Sequence, residues 1–300
     1  MVSLKFSRVT VIGCGLIGGS FALAFRRIEP GATIAGWDTS PPVLKAALQR
    51  GVIEKVDEAF ASGGMSNSDL IYLAMPVNAI IDFLRTGGAQ IKPGAVITDA
   101  GSTKEEICRA ARERLPQDRI FIGGHPIAGS EHAGLSHARA NLFTGAPYVL
   151  IDEDFHLAEP RRRLQKTLAP IGARVKFMSA AEHDRALAKV SHLPQLLSSA
   201  LAAAIKCDPN SAEMLAVAGS GLRDMTRLSK SSWSVWRDIL ATNPACIKLA
   251  LDDFMLRLQA LRGEIDKCSV DKAGELMVAR QVFADAQSFA ADHGGAGDET

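Results

Sequence analysis

The feature that most constrains this 300-residue chain is a glycine turn near its start, Gly13-Cys14-Gly15-Leu16-Ile17-Gly18. Taken alone, GxGxxG is a weak signal, because glycine is common. Here the β-rich stretch Arg8–Ile12 leads into it and Leu16–Arg27 after it reads as a helix. Thr33–Trp37 reads as a second strand, and Asp38 follows it. In that order each residue has a task. Gly13 permits the tight turn, Gly15 lets a pyrophosphate approach the backbone, and Gly18 lets helix and strand pack closely. The helix N-terminus at Leu16 and Ile17 offers free N–H groups to phosphate oxygens. Asp38 would accept hydrogen bonds from ribose hydroxyls and repel a 2′-phosphate. Thr39-Ser40 follows it, with no arginine to receive such a phosphate, which favours NAD over NADP. The competing reading gives the glycines a turn and Asp38 a helix cap, and nothing more. Ala74-Met75-Pro76, after a later strand, is placed to pass under the adenosine half; it reads equally as a helix start.

Strands and helices alternate through the first half. Pro41–Arg50, Val77–Arg85, Lys104–Leu115 and Leu157–Leu168 read as helices. Asp69–Met75, Ala95–Asp99, Arg119–Gly123, Pro147–Ile151 and Arg174–Met178 read as strands. That rhythm predicts an α/β Rossmann-type, doubly wound sheet over residues 1–178. After Ser179 the reading is helical: Ala180–Ile205, Ser211–Leu228, Ser234–Leu240, Pro244–Ile265 and Asp271–Ala291. In the fourth of these, Ile247, Leu251, Phe254, Leu258, Leu261 and Ile265 form one stripe that needs a partner helix, inside the domain or across a dimer seam. An all-α domain over 179–291 is therefore expected, with a disordered Gly- and acid-rich tail over 292–300.

Composition narrows the function classes. Thirty-four basic residues against thirty-three acidic ones leave a net charge of +1. That gives no global pull toward nucleic acid or an anionic membrane. The five cysteines are scattered without a CxxC pair, as expected of free thiols in a reducing compartment. The uncharged stretch Val9–Phe25 is short for a membrane span and runs into Arg26-Arg27 rather than a cleavage site. A cytoplasmic protein is expected.

In this fold, chemistry belongs at the carboxyl ends of the strands. Ala95–Asp99 ends in Ala100-Gly101-Ser102-Thr103-Lys104, and Arg119–Gly123 ends in Gly124-His125-Pro126. A hydroxyl and an imidazole leaving neighbouring strands can face one small molecule. Imidazole suits proton transfer near neutrality, with an unperturbed pKa of about 6.5. Ser102 reads also as a helix cap, and His125 as a structural histidine.

The blocks GCGLIGGS, DAGSTK, GGHPIAGSEHAG, SHLPQ and GLRDMTRL, with WRDI downstream, resemble the prephenate and arogenate dehydrogenase family of tyrosine biosynthesis, in order and over nearly the whole chain. The resemblance implies a Rossmann domain, a helical domain that builds a homodimer, and NAD-dependent oxidative decarboxylation of a cyclohexadienol. It implies that His125 accepts the proton of the C4 hydroxyl and that Ser102 hydrogen-bonds the same hydroxyl and orients the histidine. It implies that Arg227 grips a substrate carboxylate and that His192 faces the substrate. Many family members carry a second histidine where this chain has Gln195. Glutamine there is expected to relax strict prephenate specificity, toward an enzyme that takes both prephenate and arogenate or one that prefers arogenate. If tyrosine inhibits, the active site is the expected place, since product resembles substrate, and no regulatory domain is expected after the helices.

Other signals carry less. His125, Glu131, His132 and His137 fit no common zinc spacing, and no metal is expected. Trp233 and Trp236 read as packing on one helix face, Lys104-Glu105-Glu106 as a solvated first turn, and Arg223–Asp224 as an ion pair. The alternatives are a β-hydroxyacid dehydrogenase, which leaves HPIAG and RDMTR unexplained, and a non-catalytic NAD(H) sensor, which predicts a damaged catalytic set.

Overall fold

The computed structural model describes residues 5–128, 133–266 and 276–293. Six strands form one parallel sheet: β1 (Arg8–Ile12), β2 (Thr33–Trp37), β3 (Lys55–Val56), β4 (Leu70–Leu73), β5 (Val96–Asp99) and β6 (Ile120–Ile122), in the order β3-β2-β1-β4-β5-β6. Helices α1 (Leu16–Ile28), α2 (Pro41–Gln49), α3 (Ala59–Ser62), α4 (Val77–Thr86) and α5 (Glu105–Arg114) connect them. This is the Rossmann order, with the chain reversing direction between β1 and β4. The run Leu70-Ile71-Tyr72-Leu73 is buried at every position. Leu70 and Tyr72 join the core beneath α1, where the Phe21 ring stacks on Tyr72 at 3.8 Å, while Ile71 and Leu73 join the core beneath α4 and α5. A strand covered on both faces must be apolar throughout, as this one is.

Register matters more than content for the site. Ile12 is level with Trp37 and with Leu73, Leu73 with Asp99, and Thr98 with Ile122. The next residues along, Gly13, Asp38, Ala74, Ala100 and Gly124, therefore share the carboxyl edge of the sheet.

The strands expected at Pro147–Ile151 and Arg174–Met178 exist, but not in that sheet. They are β8 and β9 of a second, three-stranded sheet, β7-β8-β9, whose first strand β7 (Gly124–Pro126) the sequence reading did not separate. β7 runs antiparallel to β8. The turn from β6 into β7 needs two glycines in close quarters: a Cβ on Gly123 would lie 2.9 Å from Cys108 Sγ, and one on Gly124 2.7 Å from the Asp99 carbonyl oxygen. Helix α6 (Ala158–Leu168) links β8 to β9.

The helical half begins with α7 (Ala180–Leu187), capped by a reciprocal Ser179–Glu182 box. A π-helical turn, Ala188–His192, follows and leads into α8 (Leu193–Lys206). The single helix expected over Ser211–Leu228 is broken into α9 (Ser211–Ala216) and α10 (Ser220–Thr226), with Gly219 at the break, and ends in a 3-10 turn, Arg227–Lys230. Then come α11 (Trp233–Thr242), α12 (Pro244–Ile265) and α13 (Met277–His293). Part of the helix expected from Asp271, and the tail beyond His293, lie outside the described residues.

The chain divides into two compact units between Cys246 and Ile247. In the second, the Glu264 carboxylate accepts from the backbone N–H groups of Val278 and Ala279, capping α13. Of the expected stripe, Ile247 is buried, whereas Leu258 and Ile265 are exposed, as are Met255, Leu256, Phe283 and Phe289. Among the described residues no helix is long and apolar enough to cross a membrane.

Candidate active site

The glycine turn behaves as its spacing requires. Gly13 has φ +91°, and a Cβ there would fall 2.3 Å from the Ala74 carbonyl oxygen. A Cβ on Gly18 would fall 2.0 Å from the Gly13 carbonyl oxygen. Both are forced by packing. Gly15 differs: a Cβ there would meet nothing within 4 Å. Its missing side chain leaves open space in front of α1, whose N-terminus has no side-chain cap. Uncapped N–H groups at a strand end, with open space before Gly15, fit a dinucleotide's pyrophosphate. Asp38 accepts from the Cys14 N–H at 2.9 Å through one oxygen and from the Ser40 N–H at 2.9 Å through the other. It does local structural work, and its carboxylate faces the turn. Burial pushes the Cys14 thiol up to about 12, so it is an inert packing group beside the cradle. At Ala74-Met75-Pro76 the first turn of α4 is already engaged: Asp238 of α11 accepts from both the backbone N–H and the side-chain amide of Asn78, at 3.2 and 2.8 Å.

The second cluster lies where β5, β7 and α7 meet. His125 Nδ1 is 2.8 Å from His183 Nε2, and His183 Nδ1 is 2.7 Å from Asp184 Oδ1. His183 and Asp184 are fully buried. Asp184 also accepts from the backbone N–H of Lys104 at 2.7 Å and of Glu105 at 3.0 Å, at the start of α5. Burial drives His125 well below its ordinary value, and the neighbouring His183 ring, the Lys104 ammonium and the His192 ring further oppose a proton on it, so its imidazole is neutral near pH 7.

Lys104 corrects the sequence expectation. It is fully buried, not solvated. Its ammonium pairs with Asp99 and donates to the Gly124 carbonyl at 2.7 Å. Asp99 in turn accepts from the N–H groups of Gly101 and Gly124, at 2.8 and 2.9 Å. One ion pair thus fixes both the Ser102 loop and the strand carrying His125. Ser102 is half-buried, and its hydroxyl has no hydrogen-bond partner among the described residues.

The helical half supplies the rest. His192 is 1% exposed and lies edge-on to Trp236, with ring centroids 5.8 Å apart. Its Nδ1 has no hydrogen-bond partner among the described residues, and burial lowers its pKa to about 4. A buried orphan nitrogen at such a cluster is an acceptor or donor in waiting. Gln195 is buried and engaged: its amide nitrogen donates to the Leu228 carbonyl at 2.8 Å and to Ser199 at 3.2 Å, and its oxygen accepts from Ser231 at 3.0 Å. It braces the segment that begins with Arg227, which is exposed. Trp233 and Trp236 do not pack alike, since Trp233 is 68% exposed. Among the described residues, no hydrogen bond or ion pair joins Arg223 to Asp224. Glu131 and His132 lie outside the described residues.

Sequence reading missed His183 and Asp184. In AAEHDRAL they look like the polar face of an amphipathic helix, and nothing local marks them. WRDI was legible as a motif but not in purpose: its Asp238 plugs the α4 N-terminus.

Comparison with known proteins now decides the family. A family model described as "Prephenate dehydrogenase, nucleotide-binding domain" matches residues 21–177, and one described as "Prephenate dehydrogenase, dimerization domain" matches residues 179–279. The chain belongs to the prephenate dehydrogenase family. It is 34% identical over 265 residues to the prephenate dehydrogenase of Lactococcus lactis subsp. cremoris, covering 87% of this chain and 72% of that one. It is 29% identical to the cyclohexadienyl dehydrogenase of Zymomonas mobilis, covering 87% and 89%. The crystal structure of A. aeolicus prephenate dehydrogenase in complex with hydroxyphenyl propionate and NAD+ superposes with a TM-score of 0.86 at 28% identity, covering 96% and 99%. As a member of this dehydrogenase family with a nucleotide-binding domain, the chain takes a dinucleotide cofactor.

Proposed function

We propose that this chain oxidises prephenate, arogenate or both, with NAD as hydride acceptor and loss of the ring carboxylate as carbon dioxide. The observation that carries the reading is His125: a neutral imidazole one residue past Gly124, where the chain leaves the carboxyl edge of the parallel sheet, held by a buried network. In this reading His125 accepts the proton of the C4 hydroxyl, and Ser102, whose hydroxyl is uncommitted, hydrogen-bonds the same oxygen. The bound cofactor supplies a nicotinamide carbon to receive the hydride. Loss of carbon dioxide makes the ring aromatic and the step irreversible. Gly13, Gly15, Leu16, Ile17 and Gly18 hold the pyrophosphate, and Ala74 and Pro76 border the adenosine half.

Arg227 grips a carboxylate, where its fork can bind bidentately. His192 meets the substrate from the helical side through its unpartnered ring nitrogen. Gln195, with its amide bound to Leu228, Ser199 and Ser231, acts on specificity by holding Arg227's segment. It adds no positive charge, which favours acceptance of both substrates. The carboxylate of Asp38, held beside the turn by the Cys14 and Ser40 N–H groups, supports NAD over NADP. The exposed apolar residues of α12 and α13 support a homodimer.

The deciding experiment supplies NAD with prephenate and with arogenate in parallel and follows NADH formation. Turnover of at least one is expected; turnover of neither, by protein that binds NADH, overturns the assignment. An NADP preference in the same assay overturns the role given to Asp38.

A further inference from the structure

We infer that His183 and Asp184 act through His125 as positioning residues, fixing its tautomer so that Nε2 is the basic nitrogen and giving His183 Nε2 the proton that leaves His125 Nδ1. The inference rests on the reading of His125 as the base.

The direction of the chain follows from its far end. Asp184 receives two backbone N–H groups, from Lys104 and Glu105. A carboxylate so held is an acceptor, so at 2.7 Å it is His183 Nδ1–H that donates. Neutral His183 then has a bare Nε2. At 2.8 Å that lone pair must face a donor, so His125 carries its hydrogen on Nδ1. His125 Nε2 is left as an unprotonated lone pair. The opposite polarity would set the bare Nδ1 of His183 against the Asp184 carboxylate. The dyad is packed for one arrangement: His183 and Asp184 are fully buried, and the Asn243 side chain of the helical half donates to the Asp184 backbone carbonyl at 2.8 Å.

Charge favours passing the proton on. His125 faces Lys104, His183 and His192, all of which oppose a positive imidazole. His183 faces the same Lys104, but also Asp184 and Asp99, which favour one. Burial lowers both rings; Asp184 partly restores His183. In the step, the substrate O–H bond breaks and its proton bonds to His125 Nε2. The His125 Nδ1–H bond breaks and that proton bonds to His183 Nε2. The O–H electron pair becomes the C4=O bond as the ring carbon gives its hydride to the nicotinamide dinucleotide, and at that point His125 is neutral and the positive charge rests on His183 beside Asp184. When the C1–carboxylate bond breaks, its electron pair makes the ring a phenolate, which takes the proton back through His125 Nε2.

Two substitutions in the full-length enzyme separate positioning from proton acceptance. In His183→Gln, the side-chain oxygen can accept from His125 Nδ1–H while the amide nitrogen donates to Asp184; the tautomer survives, but no proton can be taken up. His183→Phe removes both. Single-turnover NADH formation should slow about 10-fold in His183→Gln and about 10²–10³-fold in His183→Phe. NADH affinity and substrate KM should stay within about twofold of the unaltered enzyme. The rate in H2O/D2O mixtures should be bowed in the unaltered enzyme, with two protons moving, and linear in His183→Gln. An unchanged rate with a bowed profile in His183→Gln overturns the relay, as does a linear profile in the unaltered enzyme. Should His183→Phe fail to fold by circular dichroism, His183→Gln alone decides. His125→Asn is the control. If it is inactive while both His183 variants are normal, only this inference fails. If it is fully active, the reading of His125 as the base fails with it.

Discussion

Replacing Lys104 with Met keeps the shape of the side chain and removes its charge. The consequence can be worked from three contacts. Asp99 would keep its hydrogen bonds from Gly101 and Gly124 but lose its cation, at a site with no solvent exposure on either partner. Removing one member of a buried pair costs about 3–5 kcal/mol, because the other charge is left behind. The Gly124 carbonyl would also lose its donor at 2.7 Å, and an unsatisfied buried acceptor costs about 1–3 kcal/mol. The two losses share one cavity and overlap, so about 4 kcal/mol is expected. For a unit of this size each kcal/mol moves Tm by about 2–4 °C, giving a fall of about 8–16 °C. Thermal unfolding followed by circular dichroism checks it. Adding Asp99→Asn removes the stranded charge but turns an NH2 toward the Gly101 or Gly124 N–H, so only part of the loss should be recovered. A fall of under about 3 °C for Lys104→Met, or no recovery in the double variant, would refute the claim that this pair anchors the strand bearing His125.

Three further outcomes follow from the same geometry. Gly15→Ala should fold normally, since the new methyl meets nothing within 4 Å among the described residues and the backbone is not left-handed, yet its NADH Kd should rise at least about 10-fold, or about 1.4 kcal/mol by calorimetry; unchanged affinity would remove Gly15 from the phosphate cradle. Arg227→Ala should raise substrate KM at least about 10-fold with a smaller effect on kcat; an unchanged KM in steady-state kinetics removes Arg227 from the site. Burial holds His192 down to about 4 and lowers His125 and His183 too. Between about pH 6.5 and 4 the unfolded chain therefore binds protons that the folded chain refuses, so stability falls as pH falls through that window. The urea midpoint should drop from pH 7 to pH 5, and less steeply in His192→Gln; parallel profiles would contradict the assignment.

The first half of the fold was legible because its signals are local. Gly13–Gly18 sits between a β-branched strand and an apolar helix, and β1, β2 and α1 begin where that pattern places them. What escaped depends on distant partners. β3 and β7 are two and three residues long, too short to show a period. β8 and β9 read correctly as strands, but their sheet was decided by the Gly123-Gly124 turn, which packs against Cys108 and Asp99. Lys104 opens a helix beside two glutamates and looks solvated; only the fold brings Asp99 and Gly124 around it. His183 and Asp184 have the spacing of an ordinary helix face, and their meaning comes from His125, fifty-eight positions earlier. Candidate residues on strand ends could be found from the pattern of strands, whereas their supports could not.

The ties across the fold bear on how such a chain can be divided or recombined. Asp238 holds Asn78, Thr242 meets Thr103 at 2.8 Å, and Asn243 and Lys104 both converge on Asp184. Each joins a residue before position 179 to one after it, or supports one that does. A hybrid that kept residues 1–178 and borrowed its helices from a relative would inherit His125 without its own neighbours. Such a hybrid should keep its activity only when His183, Asp184, Asp238, Thr242 and Asn243 travel with residues 1–178. The compact unit runs on to Cys246, so the two parts form one block in shape as in inheritance.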